Sequence, residues 1–518
     1  MINAVLFDFD NTLYDYERCN RAGMDAVVRH LCFILNEPAN ELSERFKEVC
    51  GRIKKSNNPS IKFNKIIYLQ ELTKNRGVSL YEIKKCHDIF QKAFFQELRL
   101  YDGVKELLVW LKTNKIPVGI ISNNQFHQQI DKLEHLKILE YIECMTTSSE
   151  CGEEKPHPKM FTDILQKLGK EKGIVMVGDS MEHDIFPGLD CGMLCFHFDP
   201  SANGIAWKGA HLKFGRFADL LAYLRLIMES TREFVFLSRV FGQSVMNIQG
   251  AGGNISIRLD GESMLIKSSG RIMGNTTTND GFCIGSTQEP FYKLYGNGKP
   301  SMEAGFHTLL RKYTIHLHFI PIFLDRLSLD DPMILEIPYT EPGLPLYEAI
   351  KDRARPETRI LILENHGIIL TGDTTAEVFD LYDRMCERYE VAEPERMAHR
   401  ISRKIHETTS DAVVVRPTEY HTRFFEPIHY CFPDLAVFAD NVLRLPADLS
   451  EIRQAPVLIV SDTVFLCAGT RSGLEALSEI MDAYHTIMVE SAVMPRCIDG
   501  IETLQTREEE RYRKKCQE

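Results

Sequence analysis

The sequence predicts an α/β protein of two domains in tandem. Three observations lead there. Short apolar strands alternate with helical patterns over the first 225 or so residues, the mark of a parallel sheet covered by helices on both faces. A glycine turn near residue 250 then opens a second series of alternating strands. Polar side chains of two different chemistries close strands in the two halves: Asp8-Phe9-Asp10-Asn11-Thr12 in the first, His316-Leu317-His318 in the second.

Val5-Leu6-Phe7 reads as a buried strand that runs into two carboxylates one residue apart. On an extended segment, positions i and i+2 point the same way. Bare, the pair would repel and one pKa would rise. A hard divalent cation such as Mg²⁺ removes that repulsion and also neutralises a phosphate. Asp8 can then attack phosphorus, while Asp10 protonates the leaving oxygen and later activates water. Two further strands end in polar residues: Ile116–Ser122, followed by Asn123, and Gly173–Asp179. Polar tips at the carboxyl edge of one parallel sheet define a ligand crevice. Ser122 and Asn123 offer phosphate a hydroxyl and amides. Lys155, in GEEKPHPKMF, offers a fixed cation. Asp179 and Asp184, in GDSMEHD, offer further acid for Mg²⁺.

Between the first two of these motifs lies a long helical stretch, residues 16–98. Met24, Val27, Val28, Leu31 and Leu35 fall there at helix spacing. Its segment GRIKKSNNPSIKFNK is basic. That segment reads first as a solvated loop and second as a grip on an anionic substrate. The stretch ADLLAYLRLIMESTREF is continuously helical, so the first domain, 1–228, passes into the second, 230–518, through a short, stiff join at about 228–232.

In the second domain, a helical FVFLSRVFGQSVM leads into QGAGGNISIRLDGESMLIKSSG. His316 and His318 alternate on a strand and share a face, and His366 follows another apolar strand in ILENHGIILTG. Three imidazoles suit a borderline metal such as Zn²⁺ and leave a position open, as catalytic sites do. A metal there can polarise a carbonyl. Such chemistry needs a proton shuttle, and Glu303 in PSMEAGFH is the candidate. TREEERYRKKCQE reads as a charged, solvated helical tail.

DFDNT, SNN, EKPHP and GDSMEHD, in that order, resemble the four motifs of the haloacid dehalogenase superfamily over residues 1–225. The resemblance implies a Rossmann-like core and an aspartyl-phosphate intermediate. It implies Asp8 as nucleophile, Asp10 as acid/base, Thr12 as the motif hydroxyl and Ser122 as phosphate ligand. It implies Lys155 as charge stabiliser, and Asp179 and Asp184 as Mg²⁺ acids beside Asp8 and Asp10. A second aspartate favours a phosphatase over a dehalogenase. The helical insert resembles the cap of subfamily I.

GAGGNIS, KSSG, PSMEAGFH, HLH and ENHG resemble the class II aldolase/adducin family over residues 230–485. That implies phosphate loops at Asn254, Ser268, Ser269 and Gly270, an acid/base Glu303, and metal ligands His316, His318 and His366. IPYTEPG, with Tyr339 and Gly343, matches a turn of that family. YCFPDLAVFADNVLRLP and VLIVSDTVFLCAGTRSG resemble the aldolase half of long rhamnulose-phosphate aldolase/dehydrogenases. The metal could equally be Mn²⁺ or Co²⁺. Members of the family cleave or form ketose 1-phosphates, epimerise pentose phosphates or dehydrate a thio-sugar phosphate. A dehydratase/enolase-phosphatase pair of methionine-salvage type, a C-terminal epimerase and a scaffolding role for one domain therefore stand beside the aldolase reading. Analogy with class II aldolases implies a homo-oligomer, a tetramer.

Bulk composition limits the partners. Lys plus Arg number 61 and Asp plus Glu 73, a net charge of −12. That disfavours nucleic acid and anionic membrane and leaves small phosphorylated metabolites, which need only a local cationic pocket. Fourteen scattered cysteines form no Cys-x-x-Cys pair; Cys191 and Cys195 stand nearest. No signal peptide or membrane-length apolar run is expected, which together predicts a cytoplasmic protein.

Overall fold

The computed structural model describes residues 2–490 except 56–57, 290, 325–330, 421–424, 426–441, 446–448, 450–454 and 461–462. The chain divides into two compact units, Met1–Met228 and Glu229–Glu518. No helix among the described residues is long and apolar enough to cross a membrane. The segment YCFPDLAVFADNVLRLP falls largely outside the described residues, and the charged tail after residue 490 falls wholly outside them.

Unit 1 is built on seven strands: β1 (Ala4–Phe7), β2 (Val118–Ser122), β3 (Cys144–Thr147), β4 (Ile174–Gly178), β5 (Leu194–Phe198), β6 (Ile205–Lys208) and β7 (His211–Phe214), in the order 3-2-1-4-5-7-6. β1 pairs in parallel with both β2 and β4. The order therefore reverses direction at β1, and a ligand crevice is expected beyond its carboxyl end. All residues of β1, β2 and β4 are buried, as strands covered on both faces must be. Ala4, Leu6, Ile121, Met160, Phe161, Ile174 and Met176 pack into one apolar cluster on this sheet.

Six helices lie between β1 and β2 before the chain returns to the sheet: α1 (Tyr16–Leu35), α2 (Ala39–Ile53), α3 (Pro59–Lys62), α4 (Lys65–Thr73), α5 (Leu80–Glu97) and α6 (Val104–Thr113). Asp15 caps α1 by accepting from the Arg18 amide, and Asn36 ends it in the left-handed region. Met24, Val27, Val28 and Leu31 form its buried stripe, while Leu35 is only partly covered. Ser79 caps α5 in the same manner, accepting from the Glu82 amide.

A helix over Phe217–Gly242 spans the division between the units. It stops short of the Met246 expected from its apolar pattern. A Cβ on Gly242 would stand 2.4 Å from the Gly274 amide nitrogen, so the segment 273–274 closes over this end.

Unit 2 holds an eight-stranded sheet: β8 (Asn254–Arg258), β9 (Ser263–Lys267), β10 (Phe282–Ser286), β11 (Lys293–Gly296), β12 (Tyr313–Leu317), β13 (Ile334–Ile337), β14 (Ile360–Leu363) and β15 (Gly367–Gly372), ordered 11-10-9-8-12-15-14-13. Central β12 runs antiparallel to β8 and β15. A smaller sheet follows, with β16 (Val414–Thr418), β17 (Val442–Leu445), β18 (Val457–Val460) and β19 (Thr463–Ala468) ordered 16-19-18-17. Its two faces are covered by separate clusters. Leu474, Leu477 and Met481 pack on one and Ala398, Ile401 and Ile405 on the other.

On the helix Glu393–Thr409, His399 is buried beside Tyr382 and Asn247, its Nε2 3.2 Å from the Tyr382 hydroxyl and 3.3 Å from the Asn247 amide nitrogen. Burial pushes its pKa down to about 3. Unfolded, it titrates near 6.5. The unfolded chain thus binds the extra proton between those values, and folding stability falls as pH drops through that window. His399→Asn should remove up to about 1.4 kcal/mol per pH unit of this slope, read from denaturant midpoints between pH 6.5 and 4.

Candidate functional site

Three adjacent strand ends build the first site. Asp8 follows β1, Ser122 closes β2 and Asp179 follows β4. Carboxylate oxygens of Asp8, Asp179 and Asp184 all lie within 4.8 Å of one another. Lys155 lies between two of them, its Nζ donating at 2.6 Å to Asp8 Oδ1 and at 2.6 Å to Asp184 Oδ1. The Thr12 hydroxyl donates to Asp8 Oδ2 at 2.7 Å and lies 3.3 Å from Asp179 Oδ1. The loop bearing Lys155 is pinned from below. Asn123 Oδ1 accepts from the Lys155 amide at 2.7 Å and Asn123 Nδ2 donates to its carbonyl at 3.1 Å. Ser180 N–H holds Asp184 Oδ2 at 3.1 Å. Gly178 permits this packing, because a Cβ there would stand 2.5 Å from the Asp184 carboxylate.

The electrostatics follow from burial and crowding. Burial pushes the Asp8 carboxyl well above its ordinary range; Lys155 pulls it down, while Asp184 and Asp179 push it up again. Asp179 is raised by burial and then by Asp184. Burial works against the Lys155 ammonium, yet Asp184 and Asp8 outweigh it and hold its pKa above the usual value. Three carboxylates thus share one buried ammonium. That donor set, all oxygen with a local excess of negative charge, fits a hard divalent cation.

Asp10 does not join this group. β1 ends at Phe7, and after Asp10 the chain turns through Asn11 at φ 68°. Asp10 Oδ1 accepts from Lys132 Nζ at 2.8 Å and from the Tyr14 hydroxyl at 2.5 Å; Oδ2 accepts from Asn124 at 2.9 Å and Gln129 at 3.1 Å. Burial raises its pKa, but Lys132 and these donors bring it below the ordinary value. The expectation that both carboxylates face one cation is corrected here: the Asp10 side chain serves a cation of the protein itself. Sequence reasoning missed Lys132, Asn124 and Gln129. Ser122 is buried, and its hydroxyl oxygen accepts from Gln129 Nε2 at 2.6 Å.

The second site lies on β12 and its neighbours. His316 is in β12, His318 follows it, and His366 sits in the turn between β14 and β15. One ring nitrogen from each falls within 4.8 Å of the others. Gly367 lets this turn close, because a Cβ there would stand 2.1 Å from the Leu317 carbonyl oxygen. His316 Nδ1 lies 3.1 Å from the Ile368 carbonyl, which orients the ring, and its buried Nε2 has no hydrogen-bond partner. Burial lowers all three pKa values, His366 to about 4, and the neighbouring rings lower His316 and His366 further. Imidazoles gathered at one point, two of them with a buried ring nitrogen that has no hydrogen-bond partner (His316 Nε2 and His366 Nδ1), fit a transition-metal ion.

Glu303 faces the same point. Its Oε1 is 3.5 Å from His366 Nε2 and its Oε2 3.8 Å from His316 Nε2. Burial raises its pKa against the pull of Asn254 and Lys267. Asn254 pairs with His316 in register on β8, and its Nδ2 donates to Glu303 Oε2 at 2.7 Å. Asn254 Oδ1 is in turn held by His307 Nε2, whose Nδ1 lies 2.7 Å from the Ser256 hydroxyl. Asn254 was expected at a phosphate loop; in the structure its amide positions Glu303.

Ser268 is buried with its hydroxyl donating to the Asn297 carbonyl at 3.0 Å, whereas Ser269 and Gly270 form an exposed turn. Beside them Lys267, buried at the end of β9, donates to the Ala251 carbonyl at 2.9 Å, and burial lowers its pKa to about 8. Lys267 was also missed. The signal was a lysine closing the apolar run SMLIK. Tyr339 is exposed, its amide donating to Glu364 Oε2 at 3.0 Å.

One chain thus carries a carboxylate cluster and an imidazole cluster, each with a donor set that could hold a metal ion. Residues 5–197 match the family Haloacid dehalogenase-like hydrolase, and residues 232–393 match the Class II Aldolase and Adducin N-terminal domain. The ribulose-1,5-bisphosphate 5-phosphatase of Halopiger xanaduensis is 32% identical over 219 residues, covering 40% of this chain and 90% of that protein. Human N-acylneuraminate-9-phosphatase is 28% identical over 205 residues (37% and 80%). The glyceraldehyde 3-phosphate phosphatase of Methanothermobacter thermautotrophicus is 29% identical over 201 residues (37% and 84%). Among solved structures, a phosphatase from Thermococcus onnurineus aligns at 22% identity over 43% of this chain and 98% of its own, with a TM-score of 0.36. A class II aldolase domain from Thermoplasma acidophilum aligns at 21% identity over 30% and 91%, with a TM-score of 0.27. The chain belongs to the haloacid dehalogenase-like hydrolases through its N-terminal part, and the part that follows is similar to the class II aldolase/adducin family over residues 232–393.

Metal analysis after dialysis against Zn²⁺ should find about one ion per chain held by the imidazoles. His318→Ala should lose that ion, whereas Asp184→Asn should retain it.

Proposed function

We propose a bifunctional enzyme: an Mg²⁺-dependent phosphatase acting through an aspartyl-phosphate on a small phosphorylated metabolite, fused to a divalent-metal class II lyase acting on a sugar phosphate. The observation that carries the first half is Lys155 within 2.6 Å of both Asp8 and Asp184, at the strand position where the sheet order reverses. The three phosphatases named above act on phosphorylated small molecules, which supports the same reading.

In this reading Asp8, Asp179 and Asp184 hold the cation, which supplies charge neutralisation for the phosphoryl group. Asp8 Oδ attacks phosphorus and the ester P–O bond breaks. The leaving oxygen takes a proton that enters with the monoanionic ester and passes through Asp10. Asp10, ionised in its ring of donors, then removes a proton from water. That water displaces Asp8 and releases inorganic phosphate. Lys132 positions Asp10 for this role. Thr12 orients Asp8, and Ser122 and Asn123 line the phosphoryl end.

In the second half His316, His318 and His366 hold a transition-metal ion, Zn²⁺ by its ligand set, which supplies Lewis acidity at a substrate carbonyl. Glu303 moves the proton. It is buried with Oε1 unpaired, and Asn254 fixes its other oxygen. Lys267, Ser268, Ser269 and Gly270 lie on the side where the substrate phosphate is received. Aldol cleavage, epimerisation and dehydration all use this frame; an aldol screen with dihydroxyacetone phosphate and varied aldehydes separates them. The described cysteines are all free, which supports a reducing compartment, the cytoplasm. Family analogy supports a homotetramer.

Asp8→Asn should lower hydrolysis of sugar phosphates at least about 10³-fold and leave lyase turnover unchanged. Glu303→Gln should do the reverse. Unchanged hydrolysis in Asp8→Asn sinks the phosphatase assignment, and loss of hydrolysis in Glu303→Gln sinks the division of labour.

A further inference from the structure

The cap helices and the strand tips of unit 1 enclose a cleft of about 570 Å³. Asp10, Asn123 and Lys132 line it on the core side; Lys54, Lys62 and Lys65, from the basic segment, line it on the cap side. Two of these amines are spoken for. Lys132 donates to Asp10 at 2.8 Å and Lys62 to Glu154 at 2.6 Å. Lys65 is different. Among the described residues no carboxylate lies within ion-pair distance of its Nζ, whose one hydrogen bond goes to Asn20 Oδ1 at 2.8 Å.

The amine is nevertheless held firmly. It sits 5.2 Å from the centre of the Tyr68 ring, 5.4 Å from Phe90 and 5.8 Å from Tyr16. Aromatic faces steady a cation without neutralising it. Burial pushes its pKa down while Cys50, Glu17 and Asp10 pull the other way, the situation of a cation short of a counter-ion. Glu17 and Asp131 also line the cleft, neither in ion-pair contact with Lys65. An ammonium this sheltered is costly unless an anion meets it.

We propose that the cap end of this cleft binds a second anionic group of the phosphatase substrate, a second phosphate or a carboxylate, with Lys65 as its principal ligand and Lys54 assisting from the rim. This rests on the phosphatase reading above and narrows it: the substrate carries negative charge at both ends. The reacting phosphoryl group lies at Asp8, and the other anion lies across the cleft under the cap. A neutral-tailed ester fills the same volume but leaves the Lys65 ammonium unmet. The cleft therefore selects by charge at the far end, where the chemistry at Asp8 cannot.

The test is equilibrium binding to the full chain carrying Asp8→Asn, with Mg²⁺, by calorimetry. Three probe series of three to six carbons are compared: alkyl monophosphates, alkanediol bisphosphates and ω-carboxyalkyl phosphates. At least one doubly anionic probe should bind ten-fold or more tighter than the monophosphate of equal length; which series does so tells phosphate from carboxylate. Adding Lys65→Met, or in parallel Lys65→Gln, should bring that affinity ratio to within two-fold of one. No advantage for either doubly anionic series at any length overturns the proposal. An unchanged ratio in both lysine variants also overturns it. Failure of the phosphatase reading shows separately, as absence of ester hydrolysis by the unmutated chain with Mg²⁺.

Discussion

The buried contact of Lys155 with Asp8 and Asp184 is the constraint around which unit 1 is arranged. An ammonium and two carboxylates removed from water are stable only when their geometry is close and their remaining valences are filled. Both contacts measure 2.6 Å, and Thr12 and the Ser180 amide fill sites on the two carboxylates. Asn123 clamps the Lys155 backbone on both its polar atoms. The sheet order supplies the three strand ends, and Gly178 supplies the room. Charge is still not balanced. With Asp179 beside them, three carboxylates face one ammonium; burial first and this crowding second raise the pKa values of Asp8 and Asp179. A divalent cation offsets it, and so does a proton.

Much of this was legible because strand ends carry their own signature. An apolar run that stops at a carboxylate marks a place where a buried sheet meets a polar ligand. Asp8, Ser122 and Asp179 were readable on that ground, and Lys155 and Asp184 by their order along the chain. His316 and His318 were readable from alternation on a strand. What escaped was contact across distance. Lys132 and Asp10 are 122 residues apart, and Asn124 and Asp10 114. Nothing local distinguishes Lys132 from other lysines on an amphipathic helix. The i, i+2 rule was carried through Asp10, but the strand ends at Phe7, before both aspartates, so the rule has no hold on them. The contact of Asn254 with Glu303 escaped for a related reason. It follows from the register that sets Asn254 opposite His316 of β12, which strand pairing decides.

The basic segment of the cap illustrates how composition alone divides poorly. Seen as a string, GRIKKSNNPSIKFNK is an ordinary solvated run, and several of its lysines are that. Lys62 finds Glu154, a partly buried ion pair. Lys65 opens α4, and that helix turns it onto Tyr68 and Phe90. Sequence spacing cannot separate the two, because both depend on which helix faces the cleft.

The two sites solve one physical problem by opposite means. The carboxylate site gathers groups that are charged when ready to bind, so crowding makes each costlier and the ammonium of Lys155 restrains the excess. The imidazole site gathers groups that are neutral when ready to bind, so burial and mutual repulsion of their protonated forms favour the binding form. The first donor set, all oxygen, suits a hard ion. The second donor set, all imidazole nitrogen, suits a softer ion and has Glu303 beside it. The two donor sets give little reason for ions to exchange between them, since each disfavours the other's metal.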